Sequence, residues 1–457
     1  MPDSPPKVLI VGAGLAGLFL AILLERANIP YQIFERAAKV KPLGSLMCLN
    51  ANILPVFEQL GLLDELMAIS LPVRNTEMFN GDMSVIAKIT MGTSVKQLVG
   101  YDYIVFPRPD LYELLLSKVP AEKISLGKKV LSLQQNTLGV MIRIADNTTF
   151  HGDILVGADG AYSGVRQSLY KELMKSGVLP VKDGKQLSIN YSTIVGTTNP
   201  LGEDFHPYLK DPINHNAVMI GKGTPYTWCT YTVPGNRICW NVNIQLNSKT
   251  SEDESFRNSE WTSDTNQGLV NEIRTFKTPY GDLGQLIDAT DEDRISRVYL
   301  EDKLFETWHY NRTVLIGDAA HKLLPSAGQG AVNAMQDAVI LANCLYDLAS
   351  VTPEGIAAAF QDFKDQRYPH VVAQYEASKK NAKIRYGQTL WERIVRYVVF
   401  NCLPESARTS HLVKELSYRP QATFLPRVPN HGTSEVLPQK GSWRYAELQK
   451  TGAATAL

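Results

Sequence analysis

The sequence predicts an α/β protein: a Rossmann-like nucleotide domain assembled from discontinuous segments, an antiparallel β-sheet domain inserted into it, and C-terminal helices. Three observations carry this expectation. A glycine-rich turn joins an apolar strand to a helix near residue 12, two later apolar strands end in Gly/Asp pairs near 157 and 317, and residues 225–246 alternate apolar and polar side chains. The expected boundaries are 1–71, 101–185 and 301–345 for the nucleotide domain, 72–100 and 186–300 for the sheet domain, 346–418 for the helices, and 419–457 for an irregular tail.

The first element is "VLIVGAGLAGL" at 8–18, an aliphatic strand, then Gly12-x-Gly14-x-x-Gly17, then the helical pattern of "LFLAILLERAN". Gly12 permits the turn, Gly14 lacks the Cβ that would hold the backbone away from a pyrophosphate, and Gly17 lets helix and strand pack closely. The helix N-terminus then offers unpaired N–H groups and a positive dipole end to a phosphate. The next strand, "YQIFER", ends in Glu35, eighteen residues after Gly17, where a carboxylate can bind a ribose diol, with Arg36 beside it. Such a fingerprint does not distinguish NAD from FAD.

Composition narrows the partners. Lys+Arg and Asp+Glu both total 46, so nothing electrostatic argues for nucleic acid or an anionic surface, and a small-molecule partner fits better. Five cysteines without a C-x-x-C pair suggest neither a zinc site nor a disulfide framework, and with no signal-like N-terminus the expected location is cytoplasmic. No apolar run is long enough for a transmembrane span. The run "WERIVRYVVFNCL" (391–403) reads first as a buried helix and second as a segment able to make peripheral membrane contact.

The second and third motifs repeat the grammar of the first. "DILVGADGAYSGVR" (153–166) is a strand ending in Gly157-x-Asp159-Gly160, and "VLIGDAAHKLLPSAGQG" (314–330) a strand ending in Gly317-Asp318. Strand ends of this kind converge on one extended ligand. Together with the first motif, Ser163-x-Val165-Arg166 and the run to Asp337, they resemble the class A FAD-dependent monooxygenases of the aromatic-hydroxylase type, over roughly residues 7–345.

That resemblance implies FAD as cofactor, with NAD(P)H and O2 as co-substrates and a flavin C4a-hydroperoxide as oxygen donor to an organic substrate. It places on the cofactor the turn Gly12, Gly14, Leu15, Ala16 and Gly17, the acid Glu35 with Arg36, the loop from Gly44, Arg108, the backbone of Val130, and Asp159. It gives Gly317 and Asp318 the ribityl chain, sets Pro325 against the ring, and aims Gly328, Gly330, Ala331 and Val332 at the flavin pyrimidine edge. Many members carry asparagine where Val332 stands, so only a backbone contact is expected there.

Other residues read more plainly. His321 reads as a packed or capped histidine, Asp337 as a cap or a partner within its own helix, and Arg166 equally as a surface ion-pair residue or a member of the Asp-Gly signature. Around Pro234-Gly235-Asn236 a hairpin is expected, with Ile238, Trp240, Val242, Ile244 and Leu246 on one face and Cys239, Asn241, Asn243 and Gln245 on the other. The polar stretch 251–268 is expected to be a surface insertion. No catalytic residue and no metal site is assigned. The expected activity is hydroxylation or epoxidation of a small, largely apolar phenolic or terpenoid-like substrate. An FAD oxidase or dehydrogenase on the same scaffold, or a non-enzymatic flavin or isoprenoid carrier, stay open, as does the oligomeric state.

Overall fold

The computed structural model describes residues 5–40, 44–90, 93–246, 267–324, 328–386 and 389–451. Pro325 and most of the 251–268 insertion lie outside these residues.

The apolar strands read from the sequence form one sheet. Its six strands run in the order His309–Tyr310, Thr313–Leu315, Ile154–Gly157, Val8–Val11, Tyr31–Phe34 and Ile124–Ser125. Every neighbouring pair is parallel except the first, a hairpin. Val8–Val11 and Ile154–Gly157 are buried along their whole length, as parallel strands covered on both faces must be. Helices Leu15–Arg26 and Gly330–Tyr346 pack on the sheet and on each other, which explains why both are buried nearly all round instead of along one stripe.

The second sheet has ten strands and is mostly antiparallel. At its centre Tyr226–Val233 and Arg237–Gln245 form the expected hairpin, closed at Val233↔Arg237 with Asn236 at φ 54°. Ser188–Thr197 and Ser296–Leu304 extend it on one side, Asn214–Ile220 and Leu71–Asn80 on the other. The alternation behaves as expected. Ile238, Trp240 and Val242 are buried in a core closed by residues 267–290, where the Trp240 indole N–H donates to Thr290 Oγ1 at 3.0 Å. Asn241 and Asn243 face the opposite way, into a cavity.

Three sequence expectations are corrected. Strands Leu46–Leu49 and Ile104–Pro107, from segments assigned to the nucleotide domain, are hydrogen-bonded into the ten-stranded sheet, so the two units share strands. A four-residue apolar run fits either ladder, and the open sheet edge decides. The 419–457 tail holds a helix, Trp443–Lys450, begun by Ser442, whose hydroxyl accepts from the Tyr445 N–H. Finally, the helix Leu390–Tyr397 within the 391–403 run is not buried: Leu390 and Trp391 are more than 70% exposed.

The stretch from 417 to 442, before helix Trp443–Lys450, is irregular yet held. Its backbone groups find side-chain partners: Asn52 Nδ2 donates to Tyr418 O at 2.9 Å, Gln59 Nε2 to Ala422 O at 3.1 Å, and Asn343 Nδ2 to Gln421 O at 2.9 Å. Buried Arg419 donates to the carbonyls of Leu416 and Val99, to Asn430 and to Ser434. Arg419→Ala should therefore leave buried acceptors unmatched and cost about 1–3 kcal/mol. Hydrogen exchange reads the effect locally: the Ser434 amide, bonded to Leu98 O at 2.8 Å, should lose protection before the parallel sheet does.

Candidate active site

The glycine fingerprint is built as its spacing requires. Gly12 has φ +106°, and a Cβ there would lie 2.4 Å from Ala158 O, on the neighbouring strand end. A Cβ on Gly17 would lie 2.0 Å from Gly12 O, so this position is fixed by helix–turn packing. Gly14 is different: its φ of −77° suits any residue, and a Cβ there would meet nothing within 4 Å. Glu35 closes the turn, its carboxylate accepting from Ala13 N and Ala37 N, both at 2.9 Å.

The Asp-Gly loop is locked to the third motif. Asp159 Oδ2 accepts from Val165 N at 3.1 Å, while its Oδ1 is sealed from solvent without a protein partner, and burial raises the carboxyl above its ordinary range. Arg166 is no surface residue. It is 5% exposed, and its guanidinium donates to Ala319 O at 2.9 Å and to Ala161 O, joining the two loops.

The Gly-Asp loop rests on Asp337. Asp337 Oδ2 accepts from Gly317 N at 2.8 Å and lies 2.6 Å from His321 Nε2, while Oδ1 accepts from Arg367 Nε at 2.8 Å. The carboxylate thus pairs across three segments, not within its own helix, and His321 has the partner that the sequence did not reveal. Burial alone would raise this carboxyl, but His321 and Arg367 hold it below the usual carboxylate range. Asp318, one residue after the turn, is left facing outward beside Lys322. Arg108 lies under the Gly44 loop: its N–H donates to Ser45 O at 2.7 Å, and a Cβ on Gly44 would sit 2.8 Å from its Cδ.

These loops border one cavity of about 560 Å³. Gly14, Leu15, Ala16, Arg108, Asp318, Gly328, Gly330 and Ala331 line it. Gly12, Gly17, Gly44 and Gly317 shape the turns behind it, and Val332 is buried in the core, 1% exposed. Glu35, Arg36 and Val130 lie away from it, beyond the first turn, where Lys128 N bonds Glu35 O at 2.7 Å.

Across the cavity stand residues that sequence reasoning did not name. Thr193, Asn216 and Tyr231 come from the sheet, beside Asn241 and Asn243, whose face the alternation had marked as polar. Gln374, Asn381, Arg385 and Glu415 come from helices Pro353–Tyr386 and Glu405–Glu415, where no motif gave a signal. Tyr103 donates to Cys48 Sγ at 2.8 Å, and burial pushes both the phenol and the thiol up, so Tyr103 is a neutral hydrogen-bonding group at any ordinary pH.

The lining fits FAD. Cβ atoms built on Gly14, Gly160 and Gly330 would all point into open space, although all three residues line the cavity, so bare backbone is presented where a ligand must approach closely. Two long helices, Leu15–Arg26 and Gly330–Tyr346, begin at the cavity with no side-chain cap, leaving N–H groups and dipoles for a diphosphate and an electron-rich ring edge.

Comparison with known proteins agrees. The FAD binding domain family matches residues 6–198 and 283–376, interrupted by much of the large sheet, and the chain belongs to that family. It is 30% identical over 414 residues to the FAD-dependent monooxygenase andE of Emericella variicolor (87% of this chain, 84% of that protein). It is 29% identical over 410 residues to the FAD-dependent monooxygenase nvfK of Aspergillus novofumigatus, with the same coverage. Klebsiella pneumoniae HpxO, solved with FAD and uric acid, shares the fold at TM-score 0.73 and 21% identity (91% and 97% covered). So does 2,6-dihydroxypyridine-3-hydroxylase from Arthrobacter nicotinovorans, at TM-score 0.68 and 19% identity (85% and 95% covered). The protein is an FAD-dependent monooxygenase.

Two outcomes test the construction. Because the Asp337 carboxyl is held below its unfolded value, its stabilisation is present above about pH 4 and is lost as pH falls through the folded value. Asp337→Asn should cost about 3–5 kcal/mol at pH 7 in urea unfolding, by stranding buried Arg367, and the deficit should shrink toward acid pH. Gly14→Val should leave thermal stability of the flavin-free protein nearly unchanged and abolish flavin retention. Gly17→Ala should instead destabilise the flavin-free protein by about 1–3 kcal/mol.

Proposed function

We propose that the enzyme uses NAD(P)H and O2 to hydroxylate or epoxidise a small, largely apolar organic molecule of phenolic or terpenoid character. The observation that carries this reading is the division of one cavity into two walls. One wall is the bare-backbone side of Gly14, Asp318 and Gly330; the other mixes aliphatic side chains with Thr193, Asn241 and Asn243. When bound along the first wall, FAD supplies the redox chemistry: reduction by the nicotinamide and activation of O2.

The chain's own contribution is placement and shielding. Asp318 offers a carboxylate to a ribityl hydroxyl, and Arg108 and the Gly330–Tyr346 N-terminus supply positive potential where negative charge develops on a reduced ring. Val73, Val105, Val195 and Leu300 exclude water beside the substrate, while the amides of Asn241 and Asn243 orient its polar end. Tyr103, kept neutral by burial, is suited to donate or accept a hydrogen bond and not to act as a phenolate base.

The relatives named FAD-dependent monooxygenase are fungal proteins, which supports a natural-product substrate over a simple phenol. The deciding experiment supplies NADPH, isotopically labelled O2 and a panel of prenylated phenols and terpenes. Labelled oxygen should enter one candidate, with NADPH consumption coupled to product. Stoichiometric peroxide and no labelled product with every candidate would favour an oxidase instead. Asp318→Ala should reduce flavin content after purification, and unchanged flavin content would remove its ribityl role.

A further inference from the structure

The C-terminal region carries a surface that the flavin chemistry does not use. Thr389 begins helix Leu390–Tyr397 with a reciprocal cap, its Oγ1 accepting from Glu392 N at 3.3 Å while Glu392 Oε2 accepts from Thr389 N at 3.1 Å. At 3.6 residues per turn, Leu390, Trp391, Ile394, Tyr397 and Val398 share an arc of about 120°. That arc faces solvent: Leu390 is 73% exposed, Trp391 72%, Tyr397 59%, Ile394 45% and Val398 43%. The buried side chain is Arg396, 4% exposed, whose Nη1 donates to the carbonyls of Ile384 and Arg385, both at 3.3 Å.

The helix is therefore inverted relative to an ordinary surface helix, with charge turned in and the apolar arc turned out. Two observations choose what covers it. Residues 379–408 hold seven Lys or Arg against two acidic residues, in a chain whose totals are equal at 46 each. Of these, Lys380 and Lys383 are exposed on the preceding helix and Arg393 on the helix that carries the arc. A second copy of the chain would bring an equally basic surface against this one, whereas an anionic lipid surface complements it. Trp391 and Tyr397 have amphipathic rings suited to the headgroup level. The helix is anchored beside the cavity by its other face: Arg396, opposite the arc, bonds the carbonyl of Arg385, which is exposed and lines the cavity.

We propose that the Leu390–Val398 arc docks on an anionic lipid surface and so holds the enzyme at the surface where an apolar substrate concentrates. The docking stands on the surface alone; the delivery of substrate rests on the substrate cavity proposed above. The test is co-sedimentation of the flavin-loaded full chain with vesicles of phosphatidylcholine, with and without phosphatidylserine. The protein should pellet with the anionic vesicles, and added salt should weaken this. Trp391→Asp combined with Ile394→Asp, at exposed positions that leave the fold intact, should weaken binding at least about tenfold with flavin absorbance unchanged. Arg393→Ala should weaken it about fivefold.

Equal binding by parent and double variant, or no binding of the parent to anionic vesicles, would overturn the proposal. A dimer in sedimentation velocity that the double variant converts to monomer, without lipid binding, would assign the arc to a second copy. Binding of the parent to anionic vesicles, with no labelled oxygen entering any apolar candidate with or without them, would sink the substrate reading and leave the docking intact.

Discussion

The construction depends on one buried carboxylate. A parallel strand that ends in Gly-Asp must turn within two residues, and the turn leaves the Gly317 N–H without a ladder partner. Asp337 accepts it, and the same carboxylate takes His321 on one oxygen and Arg367 on the other. A strand end, the helix Gly330–Tyr346 and the helix Pro353–Tyr386 are thereby tied at a point with no exposed atom on either side of the Arg367–Asp337 pair. Such a pair is weak as a source of net stability but strong as a constraint, because losing either partner strands the other's charge. Arg166 does the same work between the Asp-Gly and Gly-Asp loops, bonding a carbonyl of each.

This division of labour explains why glycines and an aspartate line the floor of the cavity. The groups that hold the loops, Glu35, Arg166, His321 and Asp337, bond backbone atoms or one another behind the surface. The floor itself is then free to present bare backbone at Gly14, Gly160 and Gly330, where an added Cβ would meet nothing. Opposite the floor, strand alternation gives the sheet an apolar face for its own core and a polar face for the cavity.

Much of this was legible in the sequence, for identifiable reasons. Gly12 and Gly17 sit at a spacing fixed by local sterics, with Gly14 between them free of any such clash, and the period of two in "RICWNVNIQ" sorted Trp240 from Asn241 without any structure. What was not legible is non-local. His321 and Asp337 are sixteen residues apart, and their pairing follows from a turn and a helix whose relative placement no short pattern encodes. Leu46–Leu49 falls in a segment placed with the nucleotide domain and in a stretch read as a loop, yet it pairs with Ile104–Pro107, because four apolar residues do not name their neighbour. The inverted helix was misjudged for a related reason: periodicity identifies an apolar face but not what lies against it.

The C-terminal helices show how the floor and the far wall are kept in register. On helix Pro353–Tyr386, Arg367 reaches Asp337, and Gln374, Asn381 and Arg385 line the cavity. These positions are spaced by seven, seven and four residues, so at 3.6 residues per turn they form one stripe. Val371 and Ser378, buried on the same stripe, keep the helix from rolling. One helix, with Pro369 inside it between Arg367 and Gln374, therefore both ties the turn that carries Asp318 and presents polar groups to the cavity. A rotation of the helix about its axis at Arg367 would pull this guanidinium from a fully buried carboxylate, at a cost of several kcal/mol. The placement of Gln374, Asn381 and Arg385 is thus constrained by an ion pair behind the cavity, and a region without a recognisable motif is as firmly specified as the glycine turn.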